Sequence, residues 1–441
     1  MSITFGPKIR TANLSLLIDK NNSVRSWKGK PITNFTRSSN NHDNHPDNKP
    51  FSTIAHSNST NAVSTDVEPP FPGLDVYKLQ DTGTDAQNLR YSFKFDVTND
   101  SWMSYDEFYT WSTWIYLPSE FAGRWTNTTS IGCYQNSTGT DWHSATGYQS
   151  TYNYYGAGSV ATATTVPDMT LFDEWQRFGV TFKPLTSNIQ LSQNSGNDNN
   201  KFVAGYLRPN INDAVNGGFP YHFYVAGGQL EESNFASPFV SDSRSSTEAF
   251  LDISGKTHTI TATSVDYNTD GSFQFDGSSD KLTVTHSSDI QPTDTMSWMA
   301  WVYVDSSQTN SYPRIFDKGN MLVHVGNSFP SSLAQNVNNS TGSLRQVAVG
   351  SAVPHSTWLH LAGSYDGRYG RLYKNGELIG TTDWTTNATI NSTTQGMYIA
   401  GNGDNSRAFK GKIENFAFYS AAITGDDIKN AFEATRDIYS V

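Results

Sequence analysis

Glu231-Glu232 and Asp173-Glu174 are the acid pairs that glycoside cleavage would draw on, and neither has suitable spacing. That chemistry needs two carboxylates on one strand face, one as nucleophile and one as general acid. Along a strand, adjacent side chains point to opposite faces, so neighbouring acids are separated rather than paired. No Glu-x-Asp-x-x-Glu run, Gly-x-Ser-x-Gly elbow, phosphate loop or His-Glu-x-x-His helix occurs. No catalytic residue is expected.

Aromatic side chains offer a different chemistry. Trp142, Tyr148, Tyr152, Tyr154 and Tyr155 sit in a stretch rich in Gly, Ser and Thr. Sugar rings stack on exposed aromatic faces while amides or acids fix their hydroxyls, and amphipathic rings also suit protein interfaces. These five are the candidate carbohydrate-binding residues. The same spacing also fits an inward strand face carrying Tyr152 and Tyr154.

No metal site is expected. His42 and His45 lie in a polar run, Ser38 to Asn48, with no further ligands near them. Asp266-Tyr267-Asn268-Thr269-Asp270-Gly271 imitates the start of a calcium loop, but Gly277 stands where a bidentate Glu is required. A turn entering the strand around Phe273 and Phe275 accounts for it.

The elements that must position these residues are strands, and one plan appears twice. Trp111-Ser112-Thr113-Trp114-Ile115-Tyr116 is answered by Trp298-Met299-Ala300-Trp301-Val302-Tyr303. Trp175 to Phe182 is answered by Trp358 to Tyr365. Trp114 and Trp301 are 187 residues apart and Trp175 and Trp358 are 183 apart, so the two copies keep step at about one domain length. Trp114, Trp175, Trp301 and Trp358, set in apolar runs, are expected in the core. Three segments follow: residues 1–60, an N-terminal anchoring segment and linker; 61–243, a first β-sandwich; and 244–441, a second. Leu14 to Asp19 is the one clear apolar strand of the first segment, too little for its own core. It is expected to dock on the first sandwich or on a partner subunit. Asn375-Gly376 marks a type I′ hairpin, and Thr424 with Asp427 three residues on caps a short C-terminal helix.

Composition agrees. The 441 residues are 13% aromatic, carry a net charge of −11 and contain one cysteine, Cys133. Short alternating runs between turn residues are an all-β signature. No basic cluster favours nucleic acid. No apolar stretch reaches the ~18 residues of a membrane span, so no membrane insertion is expected. The opening residues lack an apolar core of signal-peptide length, and a lone cysteine forms no disulfide framework. A polar, aromatic, adhesion-like chain with these features suits a protein made in a host cytoplasm and released on a virus particle.

From Phe275-Asp276-Gly277 through Trp298–Val302, Trp358–Gly367, Leu372–Gly376 and Ile399–Gly401 to Phe409–Glu414, the order of motifs resembles the laminin-G-like, concanavalin-A-like jelly roll. Gly228-Gln229-Leu230-Glu231 with Ser237-Pro238-Phe239-Val240 is similar to carbohydrate-binding-module-like domains of phage structural proteins. Gly6-Pro7-Lys8-Ile9, followed by the strand from Leu14, resembles the N-terminus of virion proteins of tailed phages, especially cyanophages. The resemblance implies an all-β fold of two tandem antiparallel β-sandwiches with an extended N-terminal segment. It implies no cofactor beyond a structural calcium near Asp276, Asp280 or Glu414. It implies a non-enzymatic virion surface protein (fibre, decoration or adhesion) that meets host-surface glycans and other virion proteins as a homo-oligomer, with a trimer first. A secreted bacterial lectin or adhesin, and then a glycan-active enzyme, are the alternatives.

Overall fold

The computed structural model describes residues 9–22, 26–33, 59–81, 91–96, 107–122, 130–136, 153–154, 160–165, 168, 170–183, 202–208, 221–240, 243–267, 273–326 and 330–441. For some strand residues it describes only the backbone. Among the described residues the chain is all-β, its strands paired antiparallel except for Asn153–Tyr154, with one short α-helix. It divides into two compact units, one of residues 32–243 and one of residues 1–31 together with 244–441.

In the C-terminal unit, Met296–Val304 is the middle of the larger sheet, flanked by Lys410–Tyr419 and Trp358–Tyr365. The second sheet runs from Ile260–Thr263 at one edge to Leu344–Val353 at the other. Strand alternation sends Trp298, Ala300, Val302 and Val304 into the core, with Phe316, Val323, Leu333 and Val347 among its other members. The Trp298 indole donates to Gln335 Oε1 at 2.8 Å, and Gln335 Nε2 donates to the Ser364 carbonyl at 3.1 Å, so these buried polar groups are satisfied. Gly363 makes room for that contact. A Cβ there would stand 2.5 Å from Trp298 Nε1.

The apolar strand Leu14–Ile18 belongs to this sheet. It pairs antiparallel with Lys410–Tyr419, placing Leu14 opposite Tyr419 and Ile18 opposite Phe416. Leu14, Leu16 and Ile18 are buried. Trp27 follows them into an aromatic cluster, 4.7 Å from Phe250 and stacked on Tyr267 at 5.5 Å. Of the anchoring segment expected over 1–60, this described part completes the second sandwich rather than docking on the first. The physical reason is edge pairing. Phe273–Asp276 pairs with only the start of the closing strand, at Gly411 and Lys410, and Leu14–Ile18 pairs with its other half.

The Asn375-Gly376 turn joins Tyr369–Lys374 to Glu377–Asp383, with both turn residues at positive φ, as a type I′ turn requires. The helix Gly425–Thr435 begins at Thr424 with a complete capping box to Asp427.

In the other unit, Tyr109–Tyr116 lies between His222–Glu232 and Trp175–Lys183 in a six-stranded sheet, beside a four-stranded one. The registers repeat those of the C-terminal unit. Trp175 faces Tyr116 as Trp358 faces Tyr303, and Arg177 faces Trp114 as His360 faces Trp301.

The four tryptophans expected in the core separate. Trp301 is buried, whereas Trp114, Trp175 and Trp358 are half-buried. Residues 114 and 301 alternate with the true core positions, Trp111 and Trp298, and so face outward from their sheets. Trp301 is covered by the chain end: Tyr439 stacks on it at 4.2 Å and Thr435 Oγ1 accepts its indole N–H at 2.8 Å. Over Trp114 lies Phe71, edge-on at 5.5 Å and itself 40% exposed.

Candidate functional site

Of the aromatic candidates, Trp142, Tyr148, Tyr152 and Tyr155 lie outside the described residues. Tyr154 is described by its backbone alone, in the strand Asn153–Tyr154, paired in parallel with Cys133. His42 and His45 also lie outside. Asp266 and Tyr267 pair with Gln274 and Phe273 in an antiparallel ladder, and residues 268–272 of the segment that imitates a calcium loop lie outside the described residues.

Of the acid pairs, Asp173 and Glu174 are both exposed in the bend before Trp175–Lys183, and Glu231-Glu232 alternates along its strand. Glu231 is buried and Glu232 is exposed. Gln229 and Glu231, two apart on one face, tie down the segment that follows their strand. Glu231 Oε1 accepts from Gln229 Nε2 at 2.7 Å and from the Ser237 N–H at 2.8 Å, and Gln229 Oε1 accepts from the Val240 N–H at 2.8 Å. The Gln-Leu-Glu motif and the Ser237–Val240 ending are thus one structural latch.

The residues suggested for calcium are spent on other contacts. Asp280 Oδ2 accepts the Asp276 N–H at 2.8 Å, and Asp276 Oδ1 accepts the Ser278 N–H at 2.7 Å. Glu414 Oε2 accepts the Tyr439 hydroxyl at 3.1 Å, and its Oε1 lies 3.8 Å from Lys20 Nζ. Among the described residues no group of three or more His, Cys, Asp or Glu is placed to hold a metal ion.

The polar cleft of the C-terminal unit was not singled out by the sequence. It encloses about 510 Å³ and is lined by Asp294, Ser340, Thr341, Asp366, Gly367, Asn387, Ala388 and Thr389. Beside the loop that carries Asp294 into Met296–Val304, three connections meet there: the turn between Ser331–Asn338 and Leu344–Val353, the turn after Trp358–Tyr365, and the loop after Glu377–Asp383. Each is fixed from inside. Asn339 Oδ1 accepts three donors: the Thr341 N–H at 3.1 Å, the Thr341 hydroxyl at 2.8 Å and the Ser343 N–H at 2.8 Å. The buried Tyr365 hydroxyl donates to the Ala388 carbonyl at 2.7 Å and to the Gly367 carbonyl at 3.0 Å. Arg345, also buried, donates to the same Gly367 carbonyl. Across the cleft, the Ser340 N–H donates to the Thr389 carbonyl at 3.0 Å, and the Thr389 hydroxyl donates to Ser340 Oγ at 2.6 Å.

Asp366 is not free to act as an acid. Partial burial opposes its charge, but N–H groups of Tyr369 and Arg368 and the Arg371 guanidinium outweigh that and hold the carboxyl below its ordinary range. A carboxylate with both oxygens engaged cannot deliver the proton that glycoside cleavage needs. What remains is a rigid concave surface of hydroxyls, one amide and one exposed acid, Asp294, suited to hydrogen-bonding a polyhydroxylated ligand.

No curated protein matches this chain. Two solved structures among those similar to it are the binding domain of Paraclostridial Mosquitocidal Protein 1 and the botulinum neurotoxin serotype D ligand binding domain in complex with N-acetylneuraminic acid. The first has 12% identity and a TM-score of 0.36, with 42% of this chain and 49% of that one covered. The second has 15% identity and a TM-score of 0.34, with 43% and 49% covered. The chain therefore spans about half the length of the solved chains it matches. Residues 276–429 match the family model of the concanavalin A-like lectin/glucanases superfamily, so the C-terminal sandwich, cleft included, carries a domain of that kind.

Proposed function

We propose that this protein is a non-enzymatic glycan-binding protein and that the cleft of its C-terminal sandwich holds the sugar. The carrying observation is the convergence of Ser340, Thr341, Asn387 and Thr389 with exposed Asp294 on turns locked by Asn339, Arg345 and Tyr365. Such a surface loses little conformational freedom when a ligand binds, which favours weak polar ligands such as sugars. The test is a glycan array followed by titration calorimetry of Asn387→Ala. Removing one ligand hydrogen bond should cost ~0.5–1.5 kcal/mol, roughly twofold to thirteenfold in Kd. If Asn387→Ala binds every glycan as the parent does, the sugar sits elsewhere. Incubation with polysaccharides should release no reducing ends.

The biological setting is part of the same proposal: adhesion at the surface of a tailed-phage particle, with the sandwiches displayed as a homo-oligomer, a trimer first. Its support is the similarity of the Gly6–Ile9 opening and the Gln229–Val240 latch to phage structural proteins, together with a single cysteine in a polar, aromatic chain. Several copies would turn weak single-site contacts into firm attachment. Light scattering gives the copy number, and antibody labelling of purified particles gives the location. A monomer absent from particles would return the protein to the secreted lectins.

A further inference from the structure

The two ionisable side chains that line the cleft are acids, Asp294 and Asp366. Cations stand behind its walls, but each is committed. Arg371 is paired with Asp366 at 2.7 Å. Arg368 forms a two-pronged pair with Asp383, at 2.7 and 2.8 Å. Arg345 is buried, donating to the Gly367 carbonyl and to the Tyr365 hydroxyl while its guanidinium lies 5.4 Å from the centre of the Trp384 ring. Asp294 is exposed, and the one hydrogen bond it receives, at 3.0 Å, comes from the neighbouring Thr293 hydroxyl. Among the described residues, an incoming ligand therefore meets an uncompensated carboxylate and no available cation. A carboxylate or sulfate on the sugar would be desolvated against like charge. An ammonium would gain a charge-assisted hydrogen bond.

We propose that the cleft discriminates by charge, accepting sugars with a protonated amine most readily, uncharged sugars next, and rejecting acidic sugars, with Asp294 as the selecting residue. This rests on the glycan reading of the same cleft. The probes are oligomers of equal length: glucosamine, N-acetylglucosamine and galacturonate. Binding is measured by calorimetry on the full chain, on Asp294→Asn and on Asp294→Lys, with thermal unfolding as a folding control. The parent should bind glucosamine oligomers at least about tenfold more tightly than galacturonate oligomers, and the gap should narrow as salt is raised. Asp294→Asn should shrink the gap and Asp294→Lys should invert it. Equal affinity for the acidic and the amino oligomers in the parent, or a preference unmoved by Asp294→Lys, overturns the proposal. If neutral oligomers bind and Asn387→Ala weakens them while charge makes no difference, only the selectivity falls. If no sugar of any charge binds the parent, the glycan reading falls and the selectivity with it.

Discussion

Gly227 and Asn415 hold the same position in two different sheets. Ala226 faces Trp114 and Gln229 faces Ser112, so three steps on one strand answer two on the other. Glu414 faces Trp301 and Ala417 faces Met299, with the same extra residue. Each insertion is a β-bulge, and each begins with a residue at positive φ, +61° for Gly227 and +49° for Asn415. Both bulges sit where the closing strand passes the outward tryptophan of its neighbour. The repeat thus extends beyond the paired tryptophans to a shared backbone irregularity.

The two bulges should respond differently to substitution. A Cβ at 227 would come within 3.3 Å of Leu74, Phe239 and Trp114 in addition to the left-handed strain. Gly227→Ala should cost ~1–3 kcal/mol in urea unfolding. Asn415 tolerates its backbone already, and its Oδ1 is buried without a partner, so shortening it abandons no hydrogen bond of that oxygen. Asn415→Gly should stay within ~0.5 kcal/mol of the parent. A neutral Gly227→Ala would show that the bulge can flatten and that its φ is incidental.

Burial separates the paired tryptophans in the same manner. Trp301→Ala should destabilise the C-terminal unit by ~3–5 kcal/mol, since it removes a buried ring and the indole hydrogen bond that Thr435 Oγ1 accepts. Trp358→Ala should cost clearly less, because the ring is half-buried, between Tyr439 at 4.8 Å and Tyr303 at 5.7 Å. Chemical denaturation of each variant measures the difference, and equal losses would contradict the difference in burial described above.

Local signals were legible in the sequence because they are local. The Asn375-Gly376 turn needs only two residues that accept positive φ, and the Thr424–Asp427 box needs only three residues of spacing. The paired strands were legible because their registers come from apolar runs that the two copies share. What alternation does not reveal is the partner. Leu14–Ile18 reads as a strand, yet nothing in its own residues names Phe416–Tyr419, some 400 positions on, as the edge it fills. Outward tryptophans read as core because short covering segments make both faces of these strands apolar. The cleft escaped notice because its lining is ordinary Ser, Thr, Asn and Asp, gathered from separate connections that only the folded sheets bring together. The sequence drew attention to aromatics at 142–155 instead, and those side chains lie outside the described residues.

Because Leu14, Leu16, Ile18 and Trp27 are buried in the C-terminal unit, the start of the chain is needed for its stability. Each such side chain contributes ~1.5–3 kcal/mol of burial, so four of them rival the whole ~5–15 kcal/mol that holds a typical domain folded. Residues 244–441 expressed alone should therefore aggregate or melt far below the full chain. A synthetic peptide of residues 9–31, supplied in excess, should bind the fragment and raise its melting temperature. A stable fragment that ignores the peptide would refute the role of this strand. It follows that deleting residues 1–60 cannot test particle attachment by itself, since the deletion also unseats the second sandwich.

Asp280 should give the C-terminal unit an unusual pH dependence. Burial, reinforced by the nearby carboxylates of Asp276 and Asp266, pushes its carboxyl up to about 7 against the Asp276 N–H that it accepts. In the unfolded chain the same group ionises near its ordinary ~3.9. Between those values the folded state holds a proton that the unfolded state has lost, so stability falls as pH rises through this window and levels off above about 7. Asp280→Asn keeps an oxygen to accept the Asp276 N–H and cannot ionise. Relative to the parent, it should gain melting temperature steadily from pH 4.5 to pH 7 and no further above that. Unfolding followed by tryptophan fluorescence across that range measures the difference. Parallel curves for the two proteins at all pH values would mean that Asp280 is already ionised in the fold at pH 5, and that the Asp276 N–H outweighs its burial.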